Sequence, residues 1–90
     1  MNYVPLFKEV GIGILASSNG KNVTYTSNSN YNTYIVPIDG KSIYVFSFSG
    51  KAILLSYDKK SPCTETLTFG TSAPIDANVP YAKYMLISTN

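Results

Sequence analysis

The chain has 90 residues, a length that suits one domain spanning residues 1–90 with one thin hydrophobic core. Its net charge of +2 comes from seven scattered lysines without arginine, and no apolar run is long enough to cross a bilayer, so we expect neither nucleic acid nor a membrane as partner. Without histidine and with a single cysteine, the chain also lacks the residue types of most acid–base, nucleophilic and soft-metal sites.

Apolar and polar residues alternate with a period near two, which predicts β-strands over most of the chain. The one helix candidate, residues 7–16, contains Gly11 and Gly13, each of which costs about 1 kcal/mol relative to alanine. Seven short strands at regular spacing predict an all-β fold, an antiparallel β-sandwich of the jelly-roll type with about seven or eight strands. The predicted strands are residues 13–16, 22–26, 33–38, 42–48, 51–57, 64–69 and 82–88.

Turn residues predict the connections between these strands. Asn19-Gly20 and Asp39-Gly40 are pairs that favour primed hairpin turns, and Ser49-Gly50 joins two nearly contiguous strands as a further hairpin. Pro37, close to a strand end, makes a corner between two sheets an equal alternative for the Asp39-Gly40 turn. The polar run 27–30 predicts a loop, and the proline-containing stretch 72–80 predicts an irregular surface connection.

Two predicted strands, 42–48 and 51–57, are apolar on both faces. Such strands lie in the middle of a sheet or beneath another subunit, because soluble monomers seldom expose large apolar patches. We therefore expect a homo-oligomer or docking on a larger assembly. The predicted interface residues are Tyr44, Phe46 and Phe48.

The chain contains eight tyrosines, and these indicate where a ligand would bind. A tyrosine ring offers a flat apolar face with a polar rim, which suits the CH face of a sugar, and neighbouring Asn and Ser side chains can bond its hydroxyls. Packing of the tyrosines in the core, across strands or against a partner is the favoured interpretation, and a sugar platform is the alternative that stays open. The predicted glycan-binding residues are Tyr25, Asn30, Tyr31, Asn32 and Tyr34.

The remaining reactive residues do not form a recognisable catalytic or metal site. Asp39 and Asp58 suit turns, and the other acidic residues are widely separated. Cys63 permits no internal disulfide and is expected to be a half-buried apolar residue. We therefore predict no catalytic residue, metal site or cofactor. A calcium site of backbone carbonyls with Asp58 or Asp76 stays open.

Five motifs follow one another along the chain: Leu6-Phe7, the Asn/Ser-rich link at 27–32, the strand–turn–strand at 34–44, Tyr57-Asp58-Lys59-Lys60 and the final segment 80–88. In this order they resemble the carbohydrate-binding-type, galactose-binding-like jelly-roll domains of bacteriophage tail fibres, baseplates and other virion-surface proteins. Two features depart from the family pattern: Pro37 lies one place later than the usual proline, and Lys83 precedes Tyr84 where an arginine commonly follows the aromatic residue.

This resemblance implies a bacteriophage virion accessory or decoration protein on a capsid, head fibre or tail, which adheres to host or environmental glycans. It carries over no specific ligand residues. Relatives are modules of longer fibres, so a complete chain of 90 residues is expected to be a small accessory protein. Two alternatives stay open: a purely structural assembly protein without glycan binding, and a detached carbohydrate-binding module of a glycosidase system.

The cellular location follows from the start of the chain. Met1-Asn2-Tyr3-Val4-Pro5 has neither a basic n-region nor an apolar h-region, so we expect no signal peptide. The protein is then made in the host cytoplasm and reaches the virion surface by assembly with other virion proteins or with itself.

Overall fold

The computed structural model describes residues 6–90, and the first five residues, which carry the prediction about a signal peptide, lie outside this range. Between residues 6 and 90 the chain forms seven strands, all paired antiparallel, and contains no helix. This confirms the predicted all-β, antiparallel class. No helix that could span a membrane exists in that part of the chain. The strands are β1 (Lys8–Ser18), β2 (Val23–Pro37), β3 (Ile43–Val45), β4 (Gly50–Leu55), β5 (Leu67–Phe69), β6 (Pro74–Asp76) and β7 (Tyr84–Thr89).

The strands form two sheets, as in a small sandwich. The larger sheet has the order β1-β2-β7-β4-β5, and the smaller sheet pairs β3 with β6. A first core lies between them, where Ala52 and Leu54 of β4 and Met85 and Ile87 of β7 meet Ile75 of β6. Burial of each of the larger side chains contributes about 1.5–3 kcal/mol, so this layer is the main reason that the two sheets stay together.

A second core lies on the opposite face of the larger sheet. Ile53 and Leu55 of β4 pack there with Leu86 of β7 and Ala16 of β1. Strand β4 therefore buries side chains on both faces, with β7 on one edge and β5 on the other. This confirms the prediction of a central strand for residues 51–55, whereas residues 56–57 of the predicted segment 51–57 belong to the following turn, where Tyr57 is exposed.

The tip of the β1–β2 hairpin covers this second core. Ile12 pairs with Asn32 whereas Ile14 pairs with Ser27, so Gly13 alone lies opposite residues 28–31. Gly13 has a φ of 68°, a left-handed conformation that glycine adopts without steric cost. The bulge bends the hairpin and places its tip over the face of β4 and β7.

The sequence predicts a loop at 27–30 between two strands, and this prediction is wrong because both strands belong to β2. Residues 28–31 interrupt the backbone hydrogen bonds between β1 and β2, and hydrogen bonds from polar side chains in the bulge take their place. The Asn28 side-chain oxygen accepts the Asn30 N–H over 3.0 Å, as expected for an Asx turn. The Asn32 side-chain oxygen accepts the Gly13 N–H over 3.0 Å. The strand therefore continues through the polar run.

The hairpin tip also connects the two edges of the larger sheet, because the end of β1 contacts the residues that precede β5. Asn19 forms a bridge with Glu65, the Ser18 N–H donates to Thr66 Oγ1 over 2.8 Å, and the Ser18 hydroxyl donates to the Thr64 carbonyl over 2.7 Å. Residues 64–66 are thus used to hold the tip of β1. The predicted strand 64–69 begins only at Leu67 for this reason.

The Asn19-Gly20 turn is confirmed as the link between β1 and β2. Gly20 has a φ of 89°, and the Asn19 side-chain oxygen accepts the N–H groups of Lys21 and Asn22 over 2.9 and 2.7 Å. These bonds satisfy backbone groups that the strands leave unpaired at the turn.

The Asp39-Gly40 turn is a corner between the two sheets, so the hairpin alternative is wrong. It leads from β2 in the larger sheet to β3 in the smaller one. Gly40 has a φ of 72°, and a Cβ atom there would lie 2.7 Å from the Val79 carbonyl oxygen and 2.8 Å from that of Ala82. Only glycine lets the backbone approach the segment before β7 this closely.

The predicted Ser49-Gly50 hairpin is also wrong. Strand β3, shorter than the predicted segment 42–48, pairs with β6, while both edges of β4 are occupied by β5 and β7. Residues 46–49 therefore cross from the smaller sheet to the larger one. The partner strand β6 lies within the stretch 72–80 that the sequence predicts as irregular, since its three residues are too few for a visible alternation.

Candidate functional site

Two neighbouring pockets lie at the end of the larger sheet where β4 begins and β7 ends. The aromatic pocket, of about 210 Å³, is lined by Phe7, Tyr34, Phe48 and Thr89. The polar pocket, of about 160 Å³, is lined by Tyr31, Ser49, Gly50, Lys51, Thr68, Phe69 and Asn90. The two pockets are neighbours because residues adjacent in the chain line different pockets. Phe48 and Thr89 line the aromatic pocket, whereas Ser49, Gly50 and Asn90 line the polar pocket.

The aromatic pocket is the open end of a cluster that contains all four phenylalanines of the chain. Phe7 meets Tyr34 edge-on at 6.5 Å between ring centroids and Phe48 at 6.4 Å. Phe46 stacks on Phe48 at 5.0 Å, and both contact Phe69 in the first core. Each such pair adds about 0.5–1.5 kcal/mol of stabilisation beyond that from burial, so contacts with the core aromatic rings fix the rings that line the pocket.

The polar pocket combines one aromatic ring with several hydrogen-bonding groups. The Lys51 ammonium donates to Thr68 Oγ1 over 3.2 Å, and these two residues are direct cross-strand partners in β4 and β5. The Tyr31 ring and hydroxyl come from the bulge of β2, and Asn90 follows the end of β7. A flat ring beside hydroxyl, amide and ammonium groups matches the groups of a small polar ligand with an apolar face.

One hydrogen bond ties the walls of the two pockets together. The Thr89 hydroxyl, in the aromatic pocket, donates to the Ser49 carbonyl, in the polar pocket, over 2.6 Å. Gly50 follows directly and pairs with Thr89 in the sheet. The crossing segment 46–49 is therefore anchored to the last strand at the point between the pockets.

The predicted glycan-binding residues are only partly brought together. Tyr31 and Tyr34, both half-buried, line neighbouring pockets, and Asn32 between them holds the bulge through its bond to Gly13. Exposed Asn30 lies in the bulge itself. Tyr25 is half-exposed on the hairpin tip, opposite Ala16, and lines neither pocket. Partial burial raises the pKa of the Tyr25 phenol.

Several lining residues are missed by sequence reasoning, because they come from segments far apart in the chain. Phe7, Lys51, Thr68 and Thr89 belong to four different strands or strand ends. One signal was available: the Tyr-Asp-Lys-Lys turn predicts an antiparallel pairing of the strands on either side of it. That pairing would place Lys51 near Thr68 without any knowledge of the other strands.

The predicted interface residues face the inside of the molecule. Tyr44 of β3 and Phe46 and Phe48 of the crossing segment are half-buried and pack against the first core of their own chain. The outward residues of β3 are Ile43 and Val45, with 63% and 58% of their surfaces exposed. The exposed apolar surface of β3 is therefore formed by Ile43 and Val45, which lie on the opposite face from the predicted interface residue Tyr44.

The Asp58 carboxylate and the Cys63 thiol belong to local structure. The Ser61 hydroxyl donates to the Asp58 side chain, which also accepts the N–H groups of Ser61 and Lys60 over 2.8 and 2.9 Å, and these bonds lower the pKa of Asp58 to about 2. Burial first, and the Asp58 charge second, raise the pKa of the Cys63 thiol, which packs against the first core. Within residues 6–90 no three metal-ligating side chains lie together.

None of the described side chains that line the two pockets is a carboxylate or an imidazole, and the polar ones carry hydroxyl, amide and ammonium groups that can form hydrogen bonds with a ligand. Comparisons of this chain with models of known protein families, with curated proteins and with solved structures gave no match.

Proposed function

We propose that this chain is a non-catalytic adhesion module of a bacteriophage virion that binds saccharides at the paired aromatic and polar pockets. The observation that carries the proposal is the juxtaposition of Tyr31 with Lys51, Thr68 and Asn90 in one pocket, next to a second pocket walled by aromatic rings. The virion setting rests on the resemblance of the ordered sequence motifs to virion-surface domains.

The groups that line the polar pocket suit a sugar residue. The apolar CH face of a pyranose packs on an aromatic ring, here that of Tyr31, while its hydroxyls need donors and acceptors at the ring edge. Thr68, Ser49 and Asn90 supply those groups. The aromatic pocket beside it, lined by Phe7, Tyr34 and Phe48, would take an apolar substituent of the same sugar, such as a methyl group.

The size of the pockets sets the expected affinity. Pockets of about 210 and 160 Å³ are smaller than the roughly 300–1,000 Å³ that hold drug-sized ligands, so each site contacts about one sugar residue and binds weakly. Many copies on one particle would compensate, because linked sites raise the effective concentration and can increase avidity about 10²–10⁴-fold. Display on a virion surface supplies such an arrangement.

An array of saccharides probed with the protein displayed on multivalent particles tests this proposal. We expect binding to a subset of glycans, which Tyr31→Ala and Tyr34→Ala abolish. Tyr57→Ala is the matched control, because Tyr57 is 80% exposed and lines neither pocket. Absence of binding to every glycan by the folded, multivalent protein would refute the proposal.

A second candidate function, assembly through an apolar surface without glycan binding, is favoured by the outward face of β3. Ile43 and Val45 project there from a strand with only one partner. Ile43→Lys with Val45→Lys would then prevent self-association or incorporation into particles, measured by analytical ultracentrifugation and by particle composition. A double variant that still assembles, with unchanged stability, would contradict this candidate.

A further inference from the structure

We infer that the polar pocket selects saccharides that carry a carboxylate, such as hexuronic acids, through the Lys51 ammonium. This inference rests on the proposed function and specifies its ligand class. Lys51 is the one charged side chain among the described residues that line either pocket. No acidic side chain of residues 6–90 lines the pocket, so the ammonium can pair with an anionic group of a ligand.

The Lys51 ammonium is held in place by its strand partner. Lys51 as a whole residue is half-buried, and its ammonium donates to Thr68 Oγ1 over 3.2 Å in an exposed hydrogen bond. This bond uses one of the three N–H groups and leaves two for a ligand. The Lys51 backbone is fixed between β5 and β7, because Lys51 pairs with Thr68 on one side and Ser88 on the other. A cation fixed in this way loses little freedom when it binds an anion.

The position of Lys51 beside Tyr31 decides which kind of anion fits. A pyranose that packs on the Tyr31 ring presents its substituents around its rim, and Lys51 lines the same pocket. In a hexuronic acid that edge carries a carboxylate at C6, whereas the neutral hexose carries a hydroxyl there. Charge-assisted hydrogen bonds are about twice as strong as neutral ones, so the acid binds more tightly.

The test compares two polymers that differ only at C6, one carrying glucuronoside and one carrying glucoside, with a sialoside polymer as a second carboxylate source. Binding of the folded protein is measured by biolayer interferometry at low and high salt. We expect the glucuronoside to bind about tenfold more tightly at low salt, with a smaller difference at high salt. Tighter binding of the sialoside than of the glucuronoside would assign the carboxylate to a sialic-acid-type sugar.

Variants separate the effect of Lys51 on binding from the effect of the protein's overall positive charge. Lys51→Gln should reduce the glucuronoside to the affinity of the glucoside, and Lys51→Arg should retain most of the preference. Lys59→Gln removes the same charge from a different pocket, where its ammonium lies 5.0 Å from the Tyr84 ring centroid, and should leave the preference intact. Thermal unfolding of each variant checks that it folds.

The outcomes distinguish this inference from the proposed function. Equal binding of glucuronoside and glucoside, both abolished by Tyr31→Ala, would overturn the inference and leave saccharide binding in place. A carboxylate preference that persists in Lys51→Gln would also overturn it, since another group would then be responsible. No binding of any saccharide polymer would refute both.

Discussion

The hydroxyl oxygens of Thr33 and Ser88 lie 2.7 Å apart in the buried centre of the larger sheet. Thr33 donates its proton to the Ile14 carbonyl over 2.7 Å, so Ser88 must be the donor to Thr33. Ser88 in turn accepts the Ala16 N–H over 3.1 Å. This chain of bonds satisfies two β1 backbone groups under the hairpin tip. No buried side-chain polar atom of the described residues lacks a partner.

Ser88→Ala should destabilise the protein by about 1–3 kcal/mol, because it leaves the Ala16 N–H buried without an acceptor. Urea unfolding measures the loss. Ser47→Ala, at an exposed position, is the control and should change stability by less than about 0.5 kcal/mol. Thr33→Val should cost a similar amount to Ser88→Ala, and the double variant should deviate from additivity by at least about 0.5 kcal/mol. Additive effects would argue against a connected chain.

Gly40→Ala should be among the most disruptive alanine substitutions at a glycine. Its left-handed backbone alone costs about 1–2 kcal/mol for an L-residue, and the new Cβ would contact the Val79 and Ala82 carbonyl oxygens at less than 3 Å. Gly70→Ala is the matched control, since nothing lies within 4 Å of its Cβ position. Thermal unfolding compares the two. A Gly40 variant as stable as the Gly70 variant would show that the corner is not tightly packed.

Acid should weaken the turn between β4 and β5. The hydrogen bonds from Ser61 and Lys60 lower the folded-state pKa of Asp58 to about 2 from 3.8. A lowered folded pKa contributes stability above pH 3.8, and this contribution is lost as the pH falls towards 2. Asp58→Asn should therefore show a smaller loss of stability over that range, measured by urea unfolding at a series of pH values. Parallel pH profiles for the two proteins would contradict the assignment.

Thr89→Val should weaken saccharide binding while the protein remains folded, if the proposed function holds. The substitution keeps the shape of the side chain but removes the donor to the Ser49 carbonyl, which costs about 0.5–1.5 kcal/mol of stability. The two pocket walls would then separate more easily. Exposed Thr71→Val serves as the control. Unchanged binding to the glycan that the wild type prefers would show that this bond does not shape the site.

The all-β class, the central position of β4 and the chemistry of one turn could be predicted from local sequence. The apolar residues on both faces of 51–57 place β4 inside the sheet, since only two covered faces can bury them. Asn19-Gly20 specifies its hairpin because the bonds that stabilise it lie within four residues. Tyr31 and Tyr34 could be predicted from the sequence as candidate ligand contacts, because the polar run 27–30 lies beside them.

Which strands pair was decided by the tertiary structure. Asp39-Gly40 and Ser49-Gly50 have suitable hairpin residues, yet both connect the two sheets. A turn sequence sets local φ and ψ values, whereas pairing depends on which apolar faces can be buried together. In the same way, the polar pocket exists because β4 begins, and β5 and β7 end, beside the bulge of β2, which brings Lys51 and Thr68 to Tyr31. By itself, the sequence determined that the chain is built of antiparallel β-strands and which aromatic residues are available for a site. The packing of strands distant in sequence determined the site's shape and charge.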